Sequence, residues 1–409
     1  MHVLLLTSHY PPDVAATGQL VAEMAEDLAE KGARVTVITA RPNYVGSPRE
    51  RVRLLETRRE NGVEVKVLGV PALGRRGVWS RLIPFGGYAA AAAAMAPLVD
   101  RPDVVYALST PPILGGLLGL GIARLKGARF VYHLQDVYPE IAVALGVLGE
   151  GRPLTRASTA AEGFLRSQAD VVVTIGEDMR RHVEAASRRP RRVEVIPNWV
   201  DTARVQPIDR ERNTFRRDHG LEEAFVVGYS GNLGMAHGAE MLPAVAERLQ
   251  DLEDLRMVIV GDGPARPTLE REVRRRGLRN VVRLPYQPKA VLDQSLSAPD
   301  LHLVLQRQET HGLLVPSKIY GILAAGRPVV AAAPEGSELA ATVLDHEVGR
   351  VVAPGDAEAM AAAIRELYAN ARLREQMGRY ARAAAVRSYS RTLAARRYHA
   401  LFSELARQA

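Results

Sequence analysis

The sequence contains no cysteine, few lysines and few aromatic residues. Because cysteine is absent from all 409 residues, disulfide bonds, thiolate metal sites and cysteine nucleophiles are excluded. Aromatic residues make up 5% of the chain and do not alternate with basic residues, so the pattern of an RNA-binding module is absent. We therefore expect no nucleic-acid partner, and the net charge of +8 is compatible with an anionic membrane surface or an acidic substrate.

Long uninterrupted apolar runs are also missing. Residues 82–99 carry no charge, but two prolines and two glycines interrupt them, so we expect no membrane-spanning helix. Arg75, Arg76, Trp79 and Arg81 precede this stretch, which is the pattern of a segment that lies on an anionic membrane. A buried helix with solvated arginines is the alternative.

The N-terminal sequence MHVLLLTSHYPP lacks the basic region and the long apolar core of a secretory signal. Its apolar run at residues 3–6 predicts a first buried strand instead. We therefore expect a cytoplasmic protein, whose membrane contact would lie at the inner face of the plasma membrane.

Strand and helix patterns alternate along the whole chain. The first strand leads through a loop with Gly18 into a helix from Gln19 to Lys31, and then into a strand at residues 35–38. Similar units follow in both halves, which predicts an α/β protein with doubly wound parallel sheets. Because 409 residues exceed one compact core, we predict two Rossmann-like domains, residues 1–200 and 201–388, with a cleft between them. The loop with Gly18 has no GxGxxG pattern, so a dinucleotide fingerprint is absent.

The segment THGLLVPSKIYGILAAGRPVVAAA, residues 310–333, predicts a helix followed by a buried strand. Pro316 and Ser317 are typical of a helix start, with the serine as cap, and Gly326 is typical of a helix end. Lys318 then lies in the first turn, where its full charge opposes the helix dipole. That placement becomes favourable when the helix N-terminus binds an anion such as phosphate. An ordinary amphipathic helix with a solvated lysine is the alternative.

Other candidate residues follow predicted strands directly, where the sites of open α/β sheets lie. The segment LQDVYPE places Asp136 after one strand, and the turn of Gly231, Asn232 and Leu233 follows another. Glycines allow backbone N–H groups to approach an anion closely. This turn and the later turn that contains Gly263 are therefore candidate phosphate contacts.

PSKIYGILAAGRPVV, LQDVYPE and IPNWVD together resemble segments of the GT-B glycosyltransferases of family 4, in particular the bacterial capsule and exopolysaccharide branch of colanic-acid and O-antigen type. The resemblance covers nearly the whole chain. It implies a GT-B fold of two Rossmann-like domains, in which a last helix within residues 389–409 crosses back to the first domain.

The resemblance also implies a reaction. Family members retain the anomeric configuration when they move a sugar, here a hexosyl or N-acetylhexosaminyl group, from a nucleotide-sugar, which we expect to be a UDP-sugar. They need no metal and no further cofactor. The implied acceptor is a saccharide or a lipid-linked sugar, such as a polyprenyl-diphosphate-linked sugar in cell-surface polysaccharide synthesis.

Several donor contacts are implied in the same way. Gly231, Asn232 and Leu233 match the family's phosphate turn, GRLxxxKG. However, Asn232 and His237 replace its arginine and lysine, and a histidine is only partly protonated at neutral pH. Lys318 is then expected to be the main cation for the donor diphosphate.

Further roles are implied for residues near this turn and in the first half. Tyr286 matches the segment that backs the nucleobase, while Gly263 and Ser317 are included among the donor contacts. The loop with Gly18 is expected to approach the donor phosphates and the acceptor. Asp136 is expected to orient the acceptor or to receive its proton.

The sequence departs from the family at the Glu-x7-Glu pair. The two glutamates should fall at Leu313 and Gly321, so both carboxylates are missing. In the family the first touches the sugar and the second holds the ribose hydroxyls. We expect Glu309 or Glu338 to supply these contacts instead.

Two other functions remain open at the level of sequence. A sugar-nucleotide 2-epimerase of GT-B shape would release free sugar and nucleotide without an acceptor. A non-catalytic protein that binds a nucleotide-sugar at a membrane would also fit the missing glutamates.

Overall fold

The computed structural model describes residues 1–13, 15–41, 54–69, 79–186 and 192–408, with the backbone alone for residues 79–84. Two compact units are present, Met1–Pro197 with Arg391–Ala409 and Asn198–Ser390. Each unit is an α/β sheet with helices on its faces, which confirms the predicted pair of Rossmann-like folds. Arg75 and Arg76 of the predicted membrane segment lie outside the described residues.

The first unit contains an eight-stranded sheet in the order β3-β4-β2-β1-β5-β6-β7-β8. Its strands are β1 His2–Leu6, β2 Arg34–Ala40, β3 Leu55–Glu60, β4 Val63–Leu68, β5 Val104–Leu108, β6 Arg129–His133, β7 Val171–Thr174 and β8 Val193–Val195. All neighbours are parallel except β3 and β4. The sequence predicted no strand at β3, because its residues LETRRE are mostly charged and exposed and show no apolar alternation.

Six helices connect these strands. They are α1 Ala16–Glu30, α2 Trp79–Met95, α3 Leu114–Lys126, α4 Glu140–Ala144, α5 Pro153–Gln168 and α6 Glu177–Ala186. Helix α1 begins three residues before the predicted start at Gln19, so Gly18 lies inside the helix. The chain places apolar residues of α1, such as Met24 and Leu28, on the sheet. Burial of each such side chain contributes about 1.5–3 kcal/mol of hydrophobic stabilisation.

The second unit contains a six-stranded parallel sheet in the order β11-β10-β9-β12-β13-β14. Its strands are β9 Phe225–Ser230, β10 Leu255–Val260, β11 Val281–Leu284, β12 Leu301–Leu305, β13 Val329–Ala332 and β14 Gly349–Val352. Its helices are α7 Thr214–Asp218, α8 Leu242–Glu247, α9 Arg266–Arg275, α10 Leu292–Ser297, α11 Lys318–Ala324, α12 Glu338–Asp345, α13 Ala357–Ala369 and α14 Ala371–Ser388. Between β9 and β10 the chain forms a 3-10 turn, Ala239–Met241, followed by the short α8.

The chain returns to the first unit through α15, Arg391–Ala406. Arg391 lies 2.8 Å from Asp27 and 3.1 Å from Glu26 at the end of α1. Tyr398 is buried and packs edge-on against Tyr106 of β5, with a ring-centroid distance of 6.1 Å. The final helix is therefore part of the core of the first unit. No helix among the described residues is long and apolar enough to cross a membrane.

Candidate functional site

Two glycine turns lie against each other at the carboxyl ends of β9 and β10. Gly231 and Gly261 have φ values of +131° and +138°, which favour glycine. A Cβ atom on Gly261 would lie 2.0 Å from the carbonyl oxygen of Gly231, and one on Gly263 would lie 2.6 Å from that of Leu233. No side chain fits between the turns, so backbone groups form the surface at this edge of the sheet.

Lys318 reaches this glycine surface from the start of α11. Its Nζ donates a hydrogen bond of 2.8 Å to Tyr229 Oη, and Tyr229 Oη donates one of 2.9 Å to the carbonyl oxygen of Asn232. A Cβ atom on Gly231 would lie 3.3 Å from the same Nζ. The lysine ammonium therefore lies directly above the phosphate-type turn, as the resemblance implied for a donor contact.

The charge of Lys318 differs from the prediction. The surrounding protein atoms exclude water from the ammonium, which lowers the pKa of Lys318 to about 7. Its Nζ contacts the hydroxyl group of the neutral Tyr229 and lies 4.0 Å from the centroid of the same ring. The expected full charge was therefore wrong, since the group is close to half protonated at neutral pH until an anion binds.

The start of α11 also differs from the prediction. Ser317 occupies the N-cap position, but its φ and ψ are helical and its side chain makes no capping hydrogen bond. The helix begins at Lys318 and is seven residues long. Gly326 follows its end with a φ of +66°, so the predicted helix exit is present. The predicted serine cap is wrong, because Ser317 is already wound into the helical turn.

His237 lies beside Lys318 in the Met235–His237 3-10 turn. Burial and the nearby Lys318 lower the pKa of His237 to about 3. The expectation of a partly protonated histidine is therefore wrong, and His237 is neutral at pH 7. The Asn232 side chain is exposed at the other end of the same turn, so neither replacement of the family cations carries charge.

The positions of the missing glutamates are packed with apolar atoms. Leu313 is buried, and a Cβ atom on Gly321 would lie 3.0 Å from Leu296 Cδ1. Of the two suggested replacements, Glu309 is exposed in the Gln308–Thr310 3-10 turn, and Glu338 begins α12. The role of either carboxylate as a replacement stays a prediction.

Tyr286 lies beyond the end of β11, next to the second glycine turn. Its ring is exposed, and its Oη donates a hydrogen bond of 3.2 Å to the carbonyl oxygen of Asp262. An exposed aromatic ring fixed beside the turn with Gly263 could stack on a flat ligand group. The predicted role in backing a nucleobase stays a prediction.

Sequence reasoning did not find Tyr229 or Arg307. Tyr229 reads as a buried residue of β9, and only its hydroxyl group marks it as a partner of Lys318. Arg307 follows β12 and reads as a surface charge, but its backbone N–H donates to the carbonyl oxygen of Ala236 at 3.2 Å. Both residues join the turn through contacts that cross the chain, which no local pattern shows.

Asp136 lies beyond the carboxyl end of β6 in the first unit. Loss of solvation raises the pKa of its carboxyl group to about 6, and no described residue donates a hydrogen bond to that group. Ser109 anchors the backbone of this loop, because its Oγ donates to the carbonyl oxygen of Asp136 at 3.4 Å and accepts from the N–H of Gln135 at 3.2 Å. The carboxyl group thus lies at the edge of the sheet and is mostly ionised above about pH 6.

A buried charged cluster supports the loop of Asp136 from below. Arg166 of α5 donates to the carbonyl oxygen of Tyr138 at 3.0 Å and lies 3.5 Å from Glu140. Glu162 accepts a hydrogen bond of 2.9 Å from Tyr132, and burial raises the pKa of Glu162 to about 7. These contacts tie the LQDVYPE segment to α5 and β6.

Gly18 does not lie in an open loop. As the third residue of α1 it packs against His9, and a Cβ atom on it would lie 2.9 Å from the carbonyl carbon and oxygen of His9. The prediction that Gly18 lies in a loop facing the ligand is therefore wrong. Gly18 lies in a helix, and its lack of a side chain allows that helix to pack closely against His9. His9 itself lies 2.8 Å from Asp13, a pair beyond β1 that the sequence did not reveal.

His133 is a structural polar residue of the first unit. His133 is buried and contacts Tyr106, and burial lowers its pKa to about 3, as expected for a core histidine. Among the described residues, no group of three or more histidine, aspartate or glutamate side chains could hold a metal ion. The candidate site residues are thus Lys318 and the glycine turns in the second unit, and Asp136 in the first.

Known proteins have similar sequences. The family model described as glycosyl transferase 4-like domain matches residues 16–199, and the one described as glycosyl transferases group 1 matches residues 211–384. WcaI of Escherichia coli, a glycosyl transferase assigned to colanic acid biosynthesis, is 32% identical over 90% of this chain and 92% of its own. The glycosyltransferase WbjE of Pseudomonas aeruginosa is 30% identical over 65% of this chain and 66% of its own.

Solved structures share the fold. Sucrose-phosphate synthase from Thermosynechococcus elongatus superposes with a TM-score of 0.81 over 100% of both chains, at 17% identity. Anabaena HepE in complex with UDP and glucose superposes with a TM-score of 0.74 over 98% of this chain and 99% of its own, at 18% identity.

Proposed function

This chain belongs to the GT-B glycosyltransferases of family 4, and we propose that it transfers a sugar, with retention, from a UDP-sugar to a lipid-linked acceptor in cell-surface polysaccharide synthesis. The approach of the Lys318 ammonium to the Gly231 turn carries this proposal, because a cation beside a glycine turn suits a diphosphate. The relatives WcaI and HepE support it, because one is assigned to an exopolysaccharide and the other was solved with UDP.

The proposed reaction breaks the bond between the sugar C1 and the oxygen of the terminal phosphate. Negative charge then develops on the departing diphosphate, and the Lys318 ammonium, which is already protonated when the donor is bound, stabilises that charge. The acceptor hydroxyl forms the new bond to C1 on the same face, and its proton passes to the Asp136 carboxylate. A carboxyl group with a pKa of about 6 is ionised at pH 7 and is still basic enough to accept that proton.

One experiment separates this function from its alternatives. The protein is incubated with a radiolabelled UDP-sugar, with or without a lipid extract from cells that make surface polysaccharide. Label that moves into lipid only when the extract is present supports transfer. Free sugar and UDP formed without an acceptor would indicate a 2-epimerase, and binding without turnover would indicate a non-catalytic protein.

Chelation of divalent metal ions is expected to leave transfer unchanged. The proposal assigns neutralisation of the diphosphate to fixed protein cations, among them Lys318, so no bridging metal ion is needed. The test compares initial rates in EDTA and in added Mg²⁺, with an EDTA-sensitive transferase assayed in parallel. Loss of activity in EDTA that Mg²⁺ restores would contradict metal-independent transfer.

A lipid-linked acceptor lies in a membrane, so the protein has to contact the membrane surface. The layer of helices α2, α3 and α5 has exposed apolar and basic side chains that suit this contact. Helix α3 packs against both α2 and α5. Exposed apolar side chains along this layer include Leu117, Leu125 and Phe164. The one carboxylate in the three helices, Glu162, is buried, whereas Arg124 and Arg156 are exposed. We propose that this layer contacts anionic lipid, in addition to the membrane segment of Arg75, Arg76, Trp79 and Arg81 that the sequence predicts.

Liposome flotation tests this contact. Wild-type protein is expected to float with vesicles that contain anionic lipid, less so at high salt, because exposed charge interactions are screened. The double variant Leu117→Asp, Leu125→Asp should float less, since it places two carboxylates against the lipid. Val386→Asp, at an exposed site on α14 of the second unit, is the matched control. Equal flotation of all three proteins would contradict the proposed surface.

A further inference from the structure

The proposed donor site carries less positive charge than the negative charge of a donor diphosphate. The inference drawn from this difference rests on the proposed function. A nucleoside diphosphate-sugar carries two negative charges on its phosphates, and the departing diphosphate carries more. Asn232 is neutral, His237 is held neutral by burial, and Lys318 supplies one charge. A second cation is needed to balance the diphosphate.

Arg307 lies at the far end of the same turn. Lys318 lies beside Gly231, at the first end of the turn. Asn232 and Gly234 follow, and a Cβ atom on Gly234 would lie 3.6 Å from Cδ2 of His237. A Cβ atom on the next residue, Gly238, would lie 3.5 Å from Arg307 Cγ. The side chain of Arg307 therefore lies along the segment of His237, the position at which the family has a lysine.

We propose that Arg307 is a donor-binding residue, which exchanges its ion pair with Glu240 for the diphosphate of the nucleotide-sugar. In the structure its Nη2 donates to Glu240, while its buried Nε has no hydrogen-bond partner. Glu240 therefore engages the guanidinium through one nitrogen, and a phosphate that displaced Glu240 would accept two parallel hydrogen bonds from it.

The exchange with Glu240 is energetically accessible. The side chains of Arg307 and Glu240 are 38% and 51% exposed, and ion pairs of this kind contribute about 0–1 kcal/mol. A guanidinium is charged at any physiological pH and binds phosphate in a bidentate manner. Arg266, beside the second glycine turn, is a weaker candidate because two carboxylates, Glu270 and Asp262, lie 3.0 and 3.9 Å from it.

Calorimetric titration with UDP and UMP, repeated with GDP and GMP, tests this role. Arg307→Ala should lower the affinity for the diphosphate about tenfold, equivalent to about 1.4 kcal/mol, and leave the monophosphate affinity within about twofold. Glu240→Gln should retain or raise diphosphate affinity, because it releases the arginine. Arg350→Ala is the matched control, since Arg350 and Glu366 form a pair of similar exposure, 39% and 45%, away from the turn.

The outcomes distinguish the inference from the function on which it rests. If wild-type protein binds a diphosphate and Arg307→Ala binds it equally well, the inference is wrong and the proposed function stands. An equal loss in Arg307→Ala and Glu240→Gln would also overturn it, since the pair would then only support the turn. If wild-type protein binds neither UDP nor GDP, the donor site and the inference both fail.

Discussion

Replacing Asp136 with asparagine is expected to lower the transfer rate by about 10²–10⁴-fold, the usual contribution of a positioned general base. Asparagine has nearly the same shape but cannot accept the proton of the acceptor hydroxyl. Nucleotide binding should be unchanged, because Asp136 belongs to the first unit and the donor is proposed to bind the second.

The pH profile and the stability of this variant provide independent readouts. With a pKa of about 6, the Asp136 carboxylate is lost as pH falls through 6, so wild-type transfer should decline there and the residual activity of the variant should not follow that curve. Because burial raises this pKa above its unfolded value, the ionised carboxyl destabilises the fold at pH 7. Asp136→Asn should therefore have an equal or higher Tm.

A matched control uses Asp100, an exposed residue at the opposite edge of the sheet, before β5. Asp100→Asn should retain full transfer. If Asp136→Asn transfers sugar at the wild-type rate, Asp136 has no part in the proton transfer. If its Tm falls by many degrees, the loss of activity would reflect misfolding instead.

Replacing Lys318 with alanine is expected to reduce kcat by about 10²–10³-fold, the range seen when one stabilising group of a developing anion is removed. The effect on kcat should be at least as large as the effect on nucleotide affinity, because the diphosphate carries more charge in the transition state than in the donor. Lys318→Arg should restore activity in part, since a guanidinium differs in reach from the compact ammonium beside Tyr229.

The pKa of Lys318 predicts the direction in which nucleotide affinity changes with pH. The ammonium form binds phosphate, so nucleotide affinity should fall as pH rises above about 7 in the wild-type protein. Lys318→Ala and Lys318→Arg should both lose that dependence, the first because the charge is gone and the second because it is permanent. Lys289→Ala, at an exposed lysine of the same unit, should behave as the wild type. Unchanged kcat and affinity in Lys318→Ala would show that the diphosphate lies elsewhere.

The two glutamates of the family pattern are missing from this chain. The family pattern implies that they fall at Leu313 and Gly321, and the packing of these two residues shows why carboxylates cannot simply be restored there. Gly321 packs against Leu296, and Leu313 is buried, so a glutamate at either position would meet apolar atoms. The ribose contact therefore has to come from other groups than those two positions.

The sequence by itself determined the alternation of strands and helices, the family, and the placement of Asp136 and the Gly231 turn at the ends of strands. These follow from local patterns, because apolar periodicity and glycine punctuation act within a few residues along the chain. The tertiary structure alone decided the charge states of Lys318 and His237, the packing of Gly18 on His9, and the approach of Tyr229 and Arg307 to the turn. A pKa depends on which atoms replace water around a group, and those atoms come from segments far apart in the sequence, which only folding brings together.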